Sequence, residues 1–185
     1  MTSSEHSANV LGALGLVLHD RMAEAVSAAA AGQPETGAAA LSLLAQFMER
    51  PHVGLLHRAL GLTPSGAVRL LDKLEAAGWV RRGPGTDGRS TSVRLTASGR
   101  RVAARVAAAR AAVLDDALAV LSDDQRVVLD DLVGQLLVGL MRDPGATRWM
   151  CRLCDARACG HAAGACPVGN EVRRRWGERT STAAG

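Results

Sequence analysis

The sequence predicts a mainly α-helical fold: a helix-turn-helix followed by a small two-stranded wing, framed by long helices. Three observations carry this. The interior must be aliphatic, because 48% of residues are hydrophobic while the chain has one Phe, three Trp and no Tyr. Leu, Val and Ala then fill the core, and Ala has the highest helix propensity. Next, Thr63-Pro64 opens a segment that Gly78 closes. Thr is a good N-cap, Pro is pre-set for the first helical position, and Gly suits a left-handed stop. Last, the turn-rich run from Gly83 to Gly88 separates two short strand candidates, Trp79 to Arg82 and Thr91 to Thr96. The second strand alternates, with Val93 and Leu95 on one side and Ser92, Arg94 and Thr96 on the other.

In chain order, residues 5–31 form a first helix with Val10, Leu14, Val17, Leu18, Met22 and Val26 on one side. Gly32-Gln33-Pro34 ends it. Thr36 to Met48 is a second helix with Leu41, Leu44 and Met48 inward. Arg50-Pro51-His52 turns, and Val53 sits in a short strand. Leu55 to Leu60 is the first helix of the helix-turn-helix, and Gly61 makes the turn. In the longer helix, Val68, Leu71 and Leu74, or Leu70 and Leu74, mark the buried face. After the wing, Thr96 or Ser98 caps a helix reaching about Leu121. Its seam runs through Val102, Val106, Ala109, Val113, Ala117 and Val120. Ser122 and Gln125 form a capping-box signal for a last long helix to about Arg142. That helix is apolar on more than one side, from Val127 to Leu140. A helix so widely apolar needs more cover than a small domain supplies, which predicts a homodimer.

Charge is uneven. Net charge is +4. Between Arg50 and Arg110, eleven Arg and Lys73 face only Asp72, Glu75 and Asp87, a local +9, and the remainder nets −5. A basic patch on a helix-turn-helix is the footprint of phosphate binding, so double-stranded DNA is the expected partner. The start of the chain shows neither a basic n-region nor an apolar stretch leading to a cleavage site. The most apolar run, Leu132 to Met141, is about half a membrane span. No membrane association and a cytoplasmic location are therefore expected.

The run GLTPSGAVRLLDKLEAAGWVRR, followed by DGRSTSVRLTASG, resembles the winged helix-turn-helix of MarR-type transcriptional regulators. In element order the resemblance covers about residues 10–141, and it is tightest from Gly61 to Gly99. It implies dimerisation through the terminal helices and sequence-specific DNA binding. The expected function is a repressor on a pseudo-palindromic operator, with a small-molecule inducer as a further partner. The family usually has an Asp-Arg-Arg-type triplet at the wing tip. Here it reads Asp87-Gly88-Arg89, with one arginine missing.

A recognition helix reads bases from its N-terminal part. Thr63, Ser65, Gly66 and Arg69 lie there, and Arg69 is the residue for bidentate contact with guanine. Lys73 falls nearer the backbone. Arg58, Arg81, Arg82 and Arg94 are phosphate candidates, and Arg89 suits a narrow minor groove. Phosphate would repel Asp87. The resemblance gives it a structural role in the wing.

Asp143-Pro144-Gly145 marks a boundary. The expected organisation is a winged helix-turn-helix and dimerisation domain over 1–144, with its DNA-binding core at 52–99. A four-cysteine module follows over 145–176, and then a flexible tail over 177–185. All four cysteines fall within sixteen residues: Cys151, Cys154, Cys159 and Cys166. In a reducing compartment such clustering points to metal or redox chemistry rather than to disulfides. Four thiolates close a structural zinc site, and zinc is the expected cofactor. An iron–sulfur cluster is the alternative, favoured by Cys166-Pro167 but not by the spacing. Metal-free redox thiols are a third reading. Arg148, Arg152 and Arg157 would offset the thiolate charge, and His161 is a bystander. No nucleophile–base set or phosphate loop is present, so no enzyme is expected. Two rival readings follow from the cysteines: a metal- or redox-sensing regulator, and a dithiol oxidoreductase using Cys151 and Cys154, which lacks a βαβ context.

Overall fold

The computed structural model describes residues 2–85 and 90–177. Helix α1 (Ser3–Ala29) opens under a capping box, Thr2 accepting from the Glu5 amide while the Glu5 carboxylate accepts from the Thr2 amide. It packs along α5 near its C-terminal end, where Val26 is buried. Residues 3–17 stay exposed, so the apolar side expected to face inward does so only from its middle onward. The chain then turns through Ala31 and Gly32, both at positive φ.

Helix α2 (Glu35–Gln46) is the central element. Every residue from Gly37 to Leu44 is buried. Gly, Ala and Ser at five of those eight positions leave little side chain to keep its neighbours away. Helix α3 (Val53–Leu60) begins earlier than its apolar pattern suggests. The His52 ring accepts from the Leu55 amide at 3.1 Å and caps it, which makes Val53 helical rather than extended. Strand character survives in one bridge, His52 to Ser92, and in the Val93 amide donating to Pro51 at 3.1 Å. Gly61, at φ 66°, makes the turn.

Helix α4 (Pro64–Ala76) is capped by Thr63, whose hydroxyl accepts from the Gly66 amide at 3.1 Å. Ala67, Leu70, Leu71 and Leu74 are buried. Val68, read as core, is 48% exposed. It stands one residue past Ala67, and at 100° per residue the buried stripe passes it by.

Strands β1 (Val80–Pro84) and β2 (Thr91–Leu95) pair antiparallel, with Val80 opposite Leu95 and Arg81 opposite Arg94. The ladder runs two residues further into the turn-rich segment than expected. The tip, with Asp87 and Arg89, lies outside the described residues, as does the tail from 178 on. Helix α5 (Ala97–Leu118) is capped by Thr96, and α6 (Asp123–Gly139) by the Ser122–Gln125 box. Both stop about three residues short of the expected ends. Helices α7 (Ala146–Trp149) and α8 (Pro167–Trp176) complete the chain.

The main core joins α1 through α5 and both strands around Leu41, Leu43, Leu56, Leu71, Leu74 and Val93. A smaller cluster holds Met141, Ala146, Cys151, Cys166, Val168 and Val172. Val10, Leu14 and Val17 on α1, and Val127, Leu132 and Leu136 on α6, remain exposed. Among the described residues no helix is long and apolar enough to cross a membrane.

Candidate nucleic-acid interface and cysteine cluster

The exposed face of α4 presents Ser65, Val68, Arg69 and Lys73. Arg69 and Lys73 are one helical turn apart, so both point the same way. Neither has an ion-pair partner among the described residues. Gly66 lies close to its own cap, since a Cβ there would stand 3.1 Å from the Thr63 hydroxyl. Thr63 Oγ1 also lies 3.3 Å from Ser65 Oγ, so Thr63 orders the start of the helix as its first role. Beside Val68 a groove runs between α3, α4 and the wing, lined by His52, Gly54, Leu71, Arg82 and Thr91.

The wing arginines divide. Arg81 and Arg94 are directly opposite across the ladder and both exposed. Like charges facing across an antiparallel pair repel, and no acid among the described residues answers them. Arg82 does something else. Its guanidinium bonds Asp72 at 2.7 Å, Glu75 at 3.3 Å and the Val68 carbonyl at 3.2 Å, and its amide donates to Glu75 at 3.0 Å. It ties the wing to α4, its guanidinium paired with two carboxylates of that helix. Arg58 lines a separate groove with Glu35, Trp149 and Arg152.

The root of the wing is fixed by a junction that the sequence does not advertise. Thr96 donates its amide to the Trp79 carbonyl at 2.9 Å and its hydroxyl to the Gly78 carbonyl at 2.7 Å, and it accepts from the Gly99 amide at 3.0 Å. Gly99 is pressed so closely that a Cβ would lie 1.9 Å from the Trp79 oxygen. The end of α4, the root of β1 and the start of α5 therefore move together.

The four cysteines are free thiols in a loop of successive turns. Cys151 and Cys166 are buried, Cys154 and Cys159 half-buried. The four thiols bear on one another's ionisation, Cys151 on Cys154 and Cys166, and Cys166 on Cys159. Hydrogen bonding with Cys154 first and Cys166 next, with burial adding, holds the Cys151 thiol far above its ordinary range. Hydrogen bonding from Cys151 brings Cys166 down to about 4 against its burial, with His161 and the Gly169 amide helping. Cys154 falls to about 7 through its bond from Cys151, Arg110 assisting, while burial first and then the bond to Cys166 push Cys159 up to about 12. Arg152 is not a counter-charge: it bonds Glu35 at 3.1 Å and the Trp149 carbonyl at 2.8 Å. Arg110 of α5, more than forty residues away in the sequence, bears electrostatically on Cys154 and Cys159. Among the described residues no group of three or more His, Cys, Asp and Glu side chains is placed so that it could hold a metal ion.

A capped helix with a basic exposed face, followed by a two-stranded wing, is a winged helix-turn-helix. Residues 38–90 match the MarR family model. Solved structures agree with this MarR-like fold along most of the chain. Rv2887, a MarR family protein of Mycobacterium tuberculosis solved in complex with DNA, is 28% identical, covering 70% of this chain and 95% of that one at a TM-score of 0.55. Its complex with p-aminosalicylic acid aligns at 29% identity, 70% and 96% coverage and a TM-score of 0.52. Sco3205, a MarR family transcriptional regulator of Streptomyces coelicolor solved in complex with DNA, is 23% identical, covering 77% and 95% at a TM-score of 0.60. No curated protein matches the chain. The MarR-matched segment runs from within α2 to the wing and contains all of α4.

Proposed function

We propose that this chain is a sequence-specific DNA-binding transcriptional regulator, a repressor that binds a pseudo-palindromic operator as a homodimer. The carrying observation is the solvent face of α4, with Ser65, Val68, Arg69 and Lys73, beside a wing that displays the unneutralised Arg81–Arg94 pair. Helix α4 enters the major groove. Arg69 reads guanine O6 and N7, and Val68 offers an apolar contact to a thymine methyl. Arg81 and Arg94 then have a physical reason to face each other, because a phosphate between them removes their repulsion. Rv2887 and Sco3205, both solved with DNA, support the reading.

The apolar faces of α1 and α6 support the homodimer. Among the described residues thirteen large hydrophobic side chains are exposed, ten of them on these two helices. Pairing two copies through these faces sets the two α4 helices to read half-sites about one DNA turn, near 10 bp, apart. Selection from a random duplex pool tests the reading. Wild type should enrich a two-fold symmetric sequence. Arg69→Ala should lose preference at one base position per half-site, at about 1–3 kcal/mol. Uniform weakening by Arg69→Ala would make it a phosphate contact.

A second reading has its own observation. A cleft of about 970 Å³ between α2, the wing and α5 is lined by Arg50, Arg81, Arg94 and Arg100 together with Phe47, Met48 and Leu95. Four arginines against the one carboxylate of Glu49 leave the cleft cationic, which suits a small aromatic carboxylate, and Rv2887 has been solved with p-aminosalicylic acid. Titration calorimetry with that acid should give binding that Arg100→Ala weakens; no heat at millimolar ligand would refute it.

A further inference from the structure

We propose that Cys151, Cys154, Cys159 and Cys166 hold one zinc ion, and that the zinc-closed loop braces α2 and α3 against α6. The inference is independent of DNA binding. It begins with what folds this segment. Residues 150–166 form no regular element, and the small cluster beneath them has six buried residues, two of them cysteines, with Phe47, Trp149 and Trp176 among those only partly buried against it. So little apolar burial is not enough to order a loop of this length. A four-thiolate ion supplies the missing cross-link, because its ligands converge only in the folded state.

The loop is shaped for such closure. The Cys154 amide donates to Cys151 at 2.9 Å, folding the CxxC step back on itself. Asp155 Oδ1 accepts from the Arg157 and Ala158 amides and turns the chain toward Cys159. Gly160 and Gly164 adopt positive φ, and Asn170 Nδ2 bonds the Gly164 carbonyl at 2.7 Å, bringing Cys166 in. The Gly169 amide donates to Cys166 Sγ at 3.3 Å, so the N-terminus of α8 faces this sulfur. Arg110 approaches from α5. Together they offset the net negative charge of four thiolates on a divalent ion. The sulfurs do not stand as a ready-made cage; a zinc ion would draw them together through four Zn–S bonds.

The brace is equally specific. Arg152 reaches Glu35 at the start of α2, and the Ala156 amide donates to Gln46 Oε1 at its end, at 3.3 Å. His161 sets its ring edge-on to Phe47, centroids 5.9 Å apart. Leu153 packs on the main core, α7 packs on α3, and Pro167 of α8 lies against Gly134 of α6. The loop and the short helices that flank it therefore touch both ends of the central helix, the first helix of the helix-turn-helix, and α6 with its exposed apolar face.

The test uses the full chain, purified under reducing conditions, with zinc alone as the probe. Metal analysis should give one zinc per chain and a colourless protein. Stripping with a zinc chelator should raise amide hydrogen exchange several-fold in 150–166 and also in 46–60, and re-adding zinc should reverse both. Cys154→Ser should bind no zinc and reproduce the stripped pattern. The double variant Gln46→Ala, Arg152→Ala leaves every thiol intact, so it should keep one zinc while exchange rises in 46–60. A reduced wild-type protein that takes up no zinc would overturn the proposal. Bound iron and sulfide with visible absorption would overturn it in favour of a cluster. Zinc removal that leaves exchange in 46–60 unchanged would overturn the brace.

Discussion

Gly99→Ala inverts an ordinary expectation. Gly99 is the third residue of α5, and replacing a helical glycine with alanine normally stabilises by about 0.5–1 kcal/mol. Here the added Cβ would stand 1.9 Å from the Trp79 oxygen, 2.8 Å from its carbonyl carbon and 3.1 Å from Leu95 Cδ2. The nearest obstacle is backbone in the wing root and cannot rotate away. Relief needs a shift of α5 by about 1 Å or more, since carbon contacts are unfavourable well inside 3.5 Å. That shift pulls on the Thr96 amide bond to Trp79 at 2.9 Å and the Thr96 hydroxyl bond to Gly78 at 2.7 Å. Overpacking costs about 1–3 kcal/mol, and two weakened hydrogen bonds add about 1 kcal/mol each. Against the propensity gain, the net loss is about 2–4 kcal/mol. Urea unfolding followed by far-UV circular dichroism should show it as a midpoint lower by about 1–2 M. Both proteins must be compared at one chain concentration, because any self-association shifts the midpoint. A variant as stable as wild type, or more so, would refute the junction's role.

Three further outcomes are expected. Arg82→Ala should cost about 1 kcal/mol of stability, the scale of a partly exposed ion pair, with DNA affinity falling as the wing loosens; unchanged stability with a salt slope reduced by about one would make Arg82 a phosphate contact. Leu136→Glu on the exposed face of α6 should turn a dimer into a folded monomer in sedimentation equilibrium at micromolar concentration, and an unaltered dimer would move the interface elsewhere. Hydrogen bonds to Arg174 first, and Arg175 next, lower the pKa of Glu171 to about 2; its stabilisation of α8 is therefore fully present above the unfolded value near 4.5 and is lost as pH falls through about 2. Amide exchange in α8 should rise across that interval, and Glu171→Gln should abolish the rise.

Much of the helix-turn-helix was legible because its signals are local. Thr63, Gly61, Gly78 and the Ser122–Gln125 box each act within a few residues, and each stands where the pattern puts it. What escaped the sequence is tertiary. Apolar character marks Val68 as core, but burial depends on angle about the helix axis, and Val68 lies off the stripe. His52 caps α3 with a ring nitrogen, a role outside the usual capping residues. Arg81 and Arg82 are adjacent and chemically identical. Strand alternation sends one to solvent and the other back to Asp72 and Glu75. The cysteine spacing announced a cluster, yet Arg110, Gln46 and Phe47 come to it from distant elements. Gly99 is one glycine among 20, and only the placement of Trp79 shows why it is needed.

Hydroxyl-radical footprinting on the duplex recovered by selection tests the central claim most directly. A dimer reading DNA through α4 should protect two patches related by two-fold symmetry, centred about one helical turn apart, near 10 bp. Outside them, the wings should protect the flanking sugar–phosphate backbone. Alanine at both Arg69 and Lys73 should erase the central patches before the flanking ones. A single asymmetric patch, or protection that survives the loss of both residues, would contradict recognition by this helix.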